Sequence, residues 1–185
     1  MRNIKFAIIA DDNTGATDAA GMLTERGVKT CLINDFTTIH DTSYFYQFDA
    51  LVLGTQSRSV EPAKAYQITT DALQFLDTFS PEMVQIKYCS TFDSTPKGNI
   101  GAFLDAAKDF TRQTSIVVCP ALPVNGRTTY MGYHFVNGKL LSESPLKDHP
   151  LNPMTDSFLP HWLSYQTKRK TGLISLEDIE QGVDY

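Results

Sequence analysis

The chain has 185 residues, 42% of them hydrophobic and 20% charged, which predicts one main domain with an ordinary buried core. Its formal net charge of −5 argues against a dedicated nucleic-acid-binding protein. No fully apolar run approaches the length of a membrane span, so neither a nucleic acid nor a membrane is an expected partner.

The cysteines indicate a reducing compartment. Cys31, Cys89 and Cys119 are odd in number and far apart, and no C-x-x-C pair exists. A disulfide framework or a zinc site is therefore not expected. The first predicted strand begins too early to leave room for a signal peptide, and we expect a cytoplasmic protein.

The first two thirds of the chain alternate between strand and helix patterns. Short apolar runs predict strands, and apolar residues at helical spacing predict helices. The predicted strands are 4–10, 29–33, 50–53, 83–88 and 115–119, and the predicted helices are 14–26, 62–79 and 99–112. This order predicts an α/β, Rossmann-like fold with a mostly parallel sheet of five or six strands and helices on both faces.

The last third has a different pattern. Asn137-Gly138 separates two short apolar stretches and predicts a β-hairpin over about 133–141, because this dipeptide suits a type I′ turn. A helix is predicted over 157–165, and a last short strand over 173–176.

Polar residues follow most of the predicted strands. Loops at the carboxyl ends of parallel strands meet at one edge of a sheet, the usual place for ligand binding. Adjacent Asp11 and Asp12 repel each other and need a cation or hydroxyl donors nearby. The candidate residues, in chain order, are Asp11, Asp12, Arg58, Lys87, Ser90, Thr91, Asp93, Ser94, Asn125 and Arg127. Carboxylates, hydroxyls and cations together suit a small, polyhydroxylated, anionic ligand.

Each candidate also has a structural interpretation. Asp11 or Asp12 alone is equally well read as a helix cap, although Asn13 or Thr14 is the expected capping residue and Gly15 the expected flexible turn residue. An isolated Arg is more often a surface ion pair, and Ser90 and Thr91 are typical turn formers. The functional interpretation depends on a coincidence: polar segments follow the first, third, fourth and fifth predicted strands, which places them at equivalent strand ends.

Several motifs are absent or incomplete. The sequence has neither G-x-x-x-x-G-K-[ST] nor G-x-G-x-x-G, the two common nucleotide-binding loops. Gly98-Asn99-Ile100-Gly101 matches the clamp of a KH RNA-binding module, but the match is short and the chain is acidic. The four histidines show no metal-ligand spacing, so no metal site is predicted, and His134, within the hairpin, is expected to be structural.

Four longer motifs resemble one family. They are Ile9-Ala10-Asp11-Asp12-x-Thr14-Gly15-Ala16-x-Asp18, the segment 87–101, Pro120-Ala121-Leu122-Pro123-Val124-Asn125-Gly126-Arg127-Thr128, and Leu140-Leu141-Ser142-Glu143-Ser144 with the later His149-Pro150. Over nearly the whole chain, the sequence resembles the N-terminal, sugar-binding half of the four-carbon acid sugar kinases, closest to the 3-oxo-tetronate kinases. Asn13 stands where that family more often has a hydrophobic residue.

The resemblance implies an ATP-dependent kinase that converts 3-oxo-tetronate to its 4-phosphate. It implies an acid-sugar-binding domain over 1–172 and, over 173–185, the start of a linker to a C-terminal domain that binds most of the ATP and Mg²⁺. Asp11, Asp12 and Asp93 are then the catalytic candidates, because the substrate hydroxyl needs a carboxylate to take its proton. The remaining candidates bind substrate, and a homo-oligomer is compatible with this interpretation.

Two alternatives stay open. A sugar-binding half standing alone could act as a non-catalytic sensor of small acids. Asp11-Asp12-Asn13-Thr14 is also similar to the Asp-x-Asp-x-Thr loop of HAD-type phosphatases. That alternative is weaker, because Asn13 stands where those enzymes have their acid/base.

Overall fold

A computed structural model describes residues 4–182. Residues 1–3 of the predicted domain and 183–185 of the predicted linker lie outside the described residues. The strands are β1 (Phe6–Ala10), β2 (Thr30–Ile33), β3 (Ala50–Gly54), β4 (Met83–Lys87), β5 (Arg127–Tyr130), β6 (Tyr133–Val136) and β7 (Lys139–Leu140). The α-helices are α1 (Asn13–Glu25), α2 (Pro62–Asp77), α3 (Ile100–Thr111), α4 (Leu159–Ser164) and α5 (Leu176–Gln181).

The first four strands form one parallel sheet in the order β2-β3-β1-β4. The last residue of β1, Ala10, pairs with Gly54 at the end of β3 and with Lys87 at the end of β4. Three strands therefore end side by side, and the loops that follow them share one edge of the sheet. The predicted α/β class is confirmed.

Helices cover both faces of this sheet, as predicted. Ile8, Ala10 and Val52 pack with Ala16 of α1 on one face. Successive side chains of a strand alternate, so Ile9, Leu51 and Leu53 point to the opposite face, where α2 and α3 pack. β3 is buried along its whole length, which explains its continuous apolar sequence.

The predicted fifth strand is wrong, and the sheet has four strands instead of five or six. Within residues 4–182, the segment 115–119 forms no ladder with any strand. Its side chains still alternate, with Ile116 and Val118 half-buried and Val117 78% exposed. A cavity of about 490 Å³ lies between this segment and the outer edge of β4. The alternating burial expected of a strand is therefore present in 115–119, but the backbone of this segment does not pair with β4.

A second, antiparallel sheet contains β5, β6 and β7. The predicted hairpin is confirmed, with positive φ at Asn137 (51°) and Gly138 (78°), as a type I′ turn requires. β5 was not predicted, although Met131-Gly132 makes a similar turn between β5 and β6, with φ of 49° and 79°.

The chain's last described segment is helical. The helix predicted over 157–165 is confirmed in shorter form as α4. The strand predicted over 173–176 is wrong, because this segment leads into α5. Ser175 and Asp178 form a capping box there, each side chain accepting from the other residue's backbone N–H. That pattern was readable in the sequence.

Candidate functional site

Asp11 and Arg58 form the centre of the polar cluster at the shared sheet edge. The Arg58 Nε donates to Asp11 Oδ2 at 2.9 Å, and Nη2 donates to Oδ1 at 2.8 Å. Asp11 is 3% exposed. Its backbone carbonyl also accepts from the amides of Ser57 and Arg58, at 2.8 and 3.1 Å. The loop after β3 is thus fixed to the end of β1 by both side-chain and backbone bonds.

The charges of this pair are coupled. Burial raises the pKa of Asp11 above its ordinary value, while the hydrogen bonds and charge of Arg58 oppose that rise. Burial alone would lower the pKa of Arg58, but its bonds to Asp11 and the nearby carboxylates raise it overall. Since both Asp11 oxygens accept from the guanidinium, the geometry is that of an ionised pair.

Asp12 has two partners of its own. Its Oδ1 accepts from the Gly15 amide at 2.7 Å, so Asp12, and not Asn13 or Thr14, is the N-cap of α1. Its Oδ2 lies 2.9 Å from Arg58 Nη1. We call Asp11, Asp12 and Arg58 the carboxylate–arginine cluster. Every carboxylate oxygen in it has a protein partner.

Lys87 lies beside this cluster. Its Nζ donates to the Tyr88 carbonyl at 3.0 Å. A Cβ added to Gly15 would lie 2.7 Å from Asp12 Oδ1 and 3.5 Å from Lys87 Nζ. Gly15 is therefore needed for close approach, and not for an unusual φ as the sequence suggested. The positive charge of Lys87 also acts on Asp11, lowering its pKa against the effect of burial.

The loop after β4 is held in an unusual conformation. Phe92 has a φ of 55°, which is uncommon for a bulky residue, and its side chain is fully buried. Its amide donates to the Cys89 carbonyl at 2.9 Å. Burial of this ring fixes the turn, and the turn carries the next residue, Asp93, to the cluster. Asp93 Oδ2 lies 3.9 Å from Arg58 Nη1.

Two of the three hydroxyl candidates in this loop, Thr91 and Ser94, are bonded within the protein through their side chains. Thr91 Oγ1 lies 3.0 Å from Cys89 Sγ. Ser94 Oγ donates to the Phe92 carbonyl at 2.9 Å and accepts from Gln166 at the same distance. Ser90 is held through its carbonyl, which lies 2.8 Å from His134 Nε2. These contacts shape the loop, and the Ser90 side chain is the one without such a described bond.

Asn99 is a site-supporting residue that the sequence did not single out. Its Nδ2 lies within hydrogen-bonding distance of the carbonyls of Ser57 (2.7 Å), Arg58 (3.1 Å) and Val60 (2.7 Å). The side chain is buried at the N-terminus of α3. Asn99 therefore holds the backbone of the Arg58 loop. It occurs in the family-like segment 87–101, which was the available signal.

The antiparallel sheet is joined to the site through His134. This residue is fully buried, and its Nδ1 lies 2.9 Å from Thr129 Oγ1. Burial lowers the pKa of His134, which favours a neutral ring. The structural role expected for His134 is thus what the contacts show: it connects β6 to the loop after β4.

Asn125 and Arg127 lie at the start of this second sheet. Arg127 Nη1 donates to the Asn125 carbonyl, and Arg127 Nε is buried with no partner in the described chain. Across residues 4–182 no hydrogen bond or ion pair joins either residue to the carboxylate–arginine cluster. Arg127 is on the same face of β5 as Thr129, which contacts His134. It therefore faces the Ser90 side of the site.

His149 approaches Asp93 from the chain after β7. Its Nδ1 lies 3.9 Å from Asp93 Oδ1 and accepts from the amides of Leu151 (3.3 Å) and Asn152 (3.0 Å). Asp93 Oδ1 is buried and has no hydrogen-bond donor in residues 4–182. The sequence gave His149 no role beyond its place in a family-like motif.

The described residues contain no group of three or more His, Cys, Asp or Glu side chains that could hold a metal ion. None of the helices in residues 4–182 is long and apolar enough to cross a bilayer.

The fold and the cluster define an α/β domain that presents charged and hydroxyl groups at the carboxyl edge of a parallel sheet, as small-molecule-binding domains of this class do. The chain belongs to the family of sugar-binding N-terminal domains, whose model matches residues 6–185. This confirms the family resemblance.

Named relatives agree with this assignment. The 3-oxo-tetronate kinase of Escherichia coli K12 is 46% identical over 98% of this chain and 46% of its own length. The chain therefore spans less than half of that relative. A Haemophilus influenzae structure has a TM-score of 0.88 and 44% identity, covering 95% of this chain and 42% of its own.

A more distant structure comes from Bordetella bronchiseptica. This domain of unknown function, a domain-swapped dimer with bound citrate, has a TM-score of 0.74 and 30% identity. It covers 86% of this chain and 39% of its own.

Proposed function

We propose that this chain is the substrate-binding half of an ATP-dependent kinase that converts 3-oxo-tetronate to 3-oxo-tetronate 4-phosphate. The alignment of a 3-oxo-tetronate kinase with 98% of this chain at 46% identity carries the proposal. The chemistry of the sheet edge supports it, because the ligand has an anionic end and hydroxyl groups and the site has both cations and carboxylates.

Phosphoryl transfer to a hydroxyl depends on positioning and on charge stabilisation. A carboxylate near the hydroxyl is needed to take its proton as the oxygen attacks. Asp11, Asp12 and Asp93 all lie at the sheet edge, close to Arg58. The catalytic role of this group of carboxylates therefore remains our proposal.

The carboxylate of the sugar acid needs a separate cation. Arg58 is already held by Asp11 and Asp12. Arg127 retains a buried Nε without a described partner, and the Lys87 Nζ has its one hydrogen bond within residues 4–182 to a backbone carbonyl. We assign the acid end of the substrate to Arg127 and Lys87. We keep Ser90, Thr91, Ser94 and Asn125 as further substrate-binding candidates.

The nucleotide is assigned to another domain. The carboxylates of Asp11 and Asp12 do not suit a Mg²⁺ ion here, because the positive charge of Arg58 already lies against both of them and would repel the ion. We propose that ATP and Mg²⁺ are bound mainly by a C-terminal domain, joined through a linker that starts near residue 173. The proposal includes a cytoplasmic location and allows a homo-oligomer.

Titration with four-carbon acids tests the proposal. We expect the chain to bind threonate or erythronate with a Kd nearer ~1 mM than ~1 μM, since a small ligand in half a site has few contacts. Butanoate, which has the acid but no hydroxyls, should bind more weakly. Calorimetry that detects no binding of any hydroxy acid would overturn the proposal.

A conservative variant tests the assigned cation. Arg127→Lys keeps the charge but loses the planar fork, so it should weaken threonate binding several-fold. Arg26→Lys is the control, because the one side-chain hydrogen bond of Arg26 within residues 4–182 is to the exposed carbonyl of Met22. Equal affinities in both variants would remove Arg127 from the site.

A further inference from the structure

The three carboxylates of the site differ in whether their oxygens have hydrogen-bond or ion-pair partners. Both oxygens of Asp11 accept from Arg58, and both oxygens of Asp12 have partners at 2.7 and 2.9 Å. Asp93 is different. Its Oδ2 is 3.9 Å from Arg58, beyond hydrogen-bond length, and its Oδ1 is buried without a donor in the described residues.

A buried carboxylate oxygen without a donor is costly to keep, and such groups occur where a ligand or water completes the bonding. The Asp93 side chain is 11% exposed, so little solvent reaches it. Of the three carboxylates, Asp93 is the one with a buried oxygen that no described residue bonds, so it is the oxygen for which a ligand would supply the missing donor.

His149 determines which kind of ligand group fits there. Its Nδ1 accepts from two backbone amides, so the proton of the neutral ring is on Nε2. The contact between Nδ1 and Asp93 Oδ1 at 3.9 Å thus joins two acceptors and is not an ion pair. Two acceptors at this distance repel another carboxylate. A hydroxyl can donate its single hydrogen to Asp93 Oδ1, and His149 Nδ1 has no hydrogen with which to compete for that oxygen.

The surrounding charge orients the substrate. Asp11, Asp12 and Asp93 carry three negative charges against the two positive charges of Arg58 and Lys87, which leaves one net negative charge. A sugar acid is therefore expected to keep its carboxylate away from Asp93. The hydroxyl that reaches Asp93 is then the one farthest from the acid, the terminal hydroxyl of a four-carbon chain.

We propose that Asp93 and His149 form the hydroxyl-recognition pair of the site, with Asp93 Oδ1 accepting from the terminal hydroxyl and His149 keeping that oxygen free of an internal donor. This assignment rests on the proposed binding of a four-carbon sugar acid. Of the three candidate carboxylates, Asp93 is then the one assigned to the terminal hydroxyl, and the carboxylate–arginine cluster fixes the loops beside it.

The test compares two ligands that differ by one hydroxyl. Threonate is a stable analogue of a 3-oxo acid, and 4-deoxythreonate (2,3-dihydroxybutanoate of the same configuration) lacks the terminal hydroxyl. Calorimetry on the purified chain should show about tenfold tighter binding of threonate, the usual size of one hydrogen bond to a charged acceptor.

Variants at the pair should change this preference. In Asp93→Asn the preference should fall to about twofold or less, because a neutral amide oxygen is a weaker acceptor. His149→Lys should also abolish it, since an ammonium beside Asp93 would occupy Oδ1. His149→Asn should retain it, because the amide oxygen can replace Nδ1 as an acceptor. Asp105→Asn is the control, because the described partners of Asp105, Thr167 and Arg169, are not candidate site residues.

The outcomes separate the two proposals. If the parent binds threonate and Asp93→Asn keeps the tenfold preference, the recognition pair is wrong and the proposed function stands. If the parent binds no sugar acid, the proposed function fails first. Should a variant misfold, ¹⁵N-resolved imidazole spectra of the parent decide. The His149 signals should show the Nε2–H tautomer and shift with threonate but much less with 4-deoxythreonate. A protonated Nδ1, or equal shifts, would overturn the assignment.

Discussion

Two halves of the same site differ in how completely their polar groups are bonded. In the carboxylate–arginine cluster, each of the four carboxylate oxygens of Asp11 and Asp12 bonds to Arg58 or to the Gly15 amide. A few ångströms away, Asp93 and His149 face each other with two acceptors and no donor between them. The first half is complete without a ligand, and the second is not.

This difference separates groups that build the site from groups available to a ligand. Fully bonded polar groups fix the loops after β1 and β3 in place before any ligand arrives, which lowers the entropic cost of binding. Groups without partners supply the new interactions. Variants in the two halves should therefore affect different properties: stability in the cluster, and ligand preference at Asp93 and His149.

The largest expected effect is the removal of Arg58. Arg58→Ala leaves Asp11 as a buried charge without its partner, and we expect a loss of about 4 kcal/mol in the free energy of unfolding. Urea denaturation measures this directly. Arg169→Ala is the matched control, because Arg169 also bonds two carboxylates, Asp105 and Asp109, but on the exposed surface. That variant should unfold like the parent, and similar losses in both would contradict the comparison.

The next largest effect concerns Asn99. Asn99→Ala removes the amide that holds three carbonyls of the Arg58 loop, and we expect a loss of about 2 kcal/mol. Asn125→Ala, at an exposed turn, should have no such effect. If the two variants have equal denaturation midpoints, Asn99 does not support the loop as described.

Asp12 should give a smaller effect that depends on the replacement. Asp12→Asn preserves a side-chain oxygen that can cap α1, whereas Asp12→Ala does not. We expect the Ala variant to be about 1 kcal/mol less stable than the Asn variant by chemical denaturation. Equal stabilities would mean that the cap bond to Gly15 contributes little.

The smallest effect is a pH dependence from His134. Burial lowers the pKa of His134 below its ordinary value of 6.5, so the unfolded chain binds this proton more readily than the folded one. The free energy of unfolding should therefore fall as the pH drops from 6.5 to the folded-state pKa of His134. Above pH 6.5, the contribution of His134 to that free energy should be constant.

His134→Gln provides the comparison for that slope. Its amide can still donate to the Ser90 carbonyl, but it does not titrate. Between about pH 7.5 and 5.5, the free energy of unfolding should fall more steeply with decreasing pH in the parent than in the variant. An equal fall in both proteins would show that His134 has the same pKa in the folded and unfolded states.

Much of the fold was predictable because local patterns and tertiary packing agreed there. The start of α2 at Pro62 and the Asn137-Gly138 turn follow from φ preferences that the fold does not override. The segment 115–119 shows the limit. Its alternating burial is a property of the sequence, but pairing with β4 depends on the positions of both backbones, and these are set by distant contacts.

The proximity of several candidate residues was predictable as well, although their functional roles stay predictions. Position after a strand was enough to gather Asp11, Asp12, Arg58, Lys87 and Asp93, since parallel strands end at one edge. Asn99 and His149 could not be assigned in this way. Their contacts depend on the approach of α3 and of the chain after β7, which no local pattern encodes.

The most direct test of the account is a map of backbone amide shifts in ¹H–¹⁵N spectra as threonate is added to the chain. The account predicts that the largest changes occur in 88–94 and 149–152, with smaller changes at the fully bonded residues Asp11, Asp12 and Arg58. Changes concentrated at 83–86 and 115–118, in the part of the cavity beside β4 that is farthest along the chain from Lys87 and Ser90, would contradict it by placing the ligand away from the carboxyl ends of the strands.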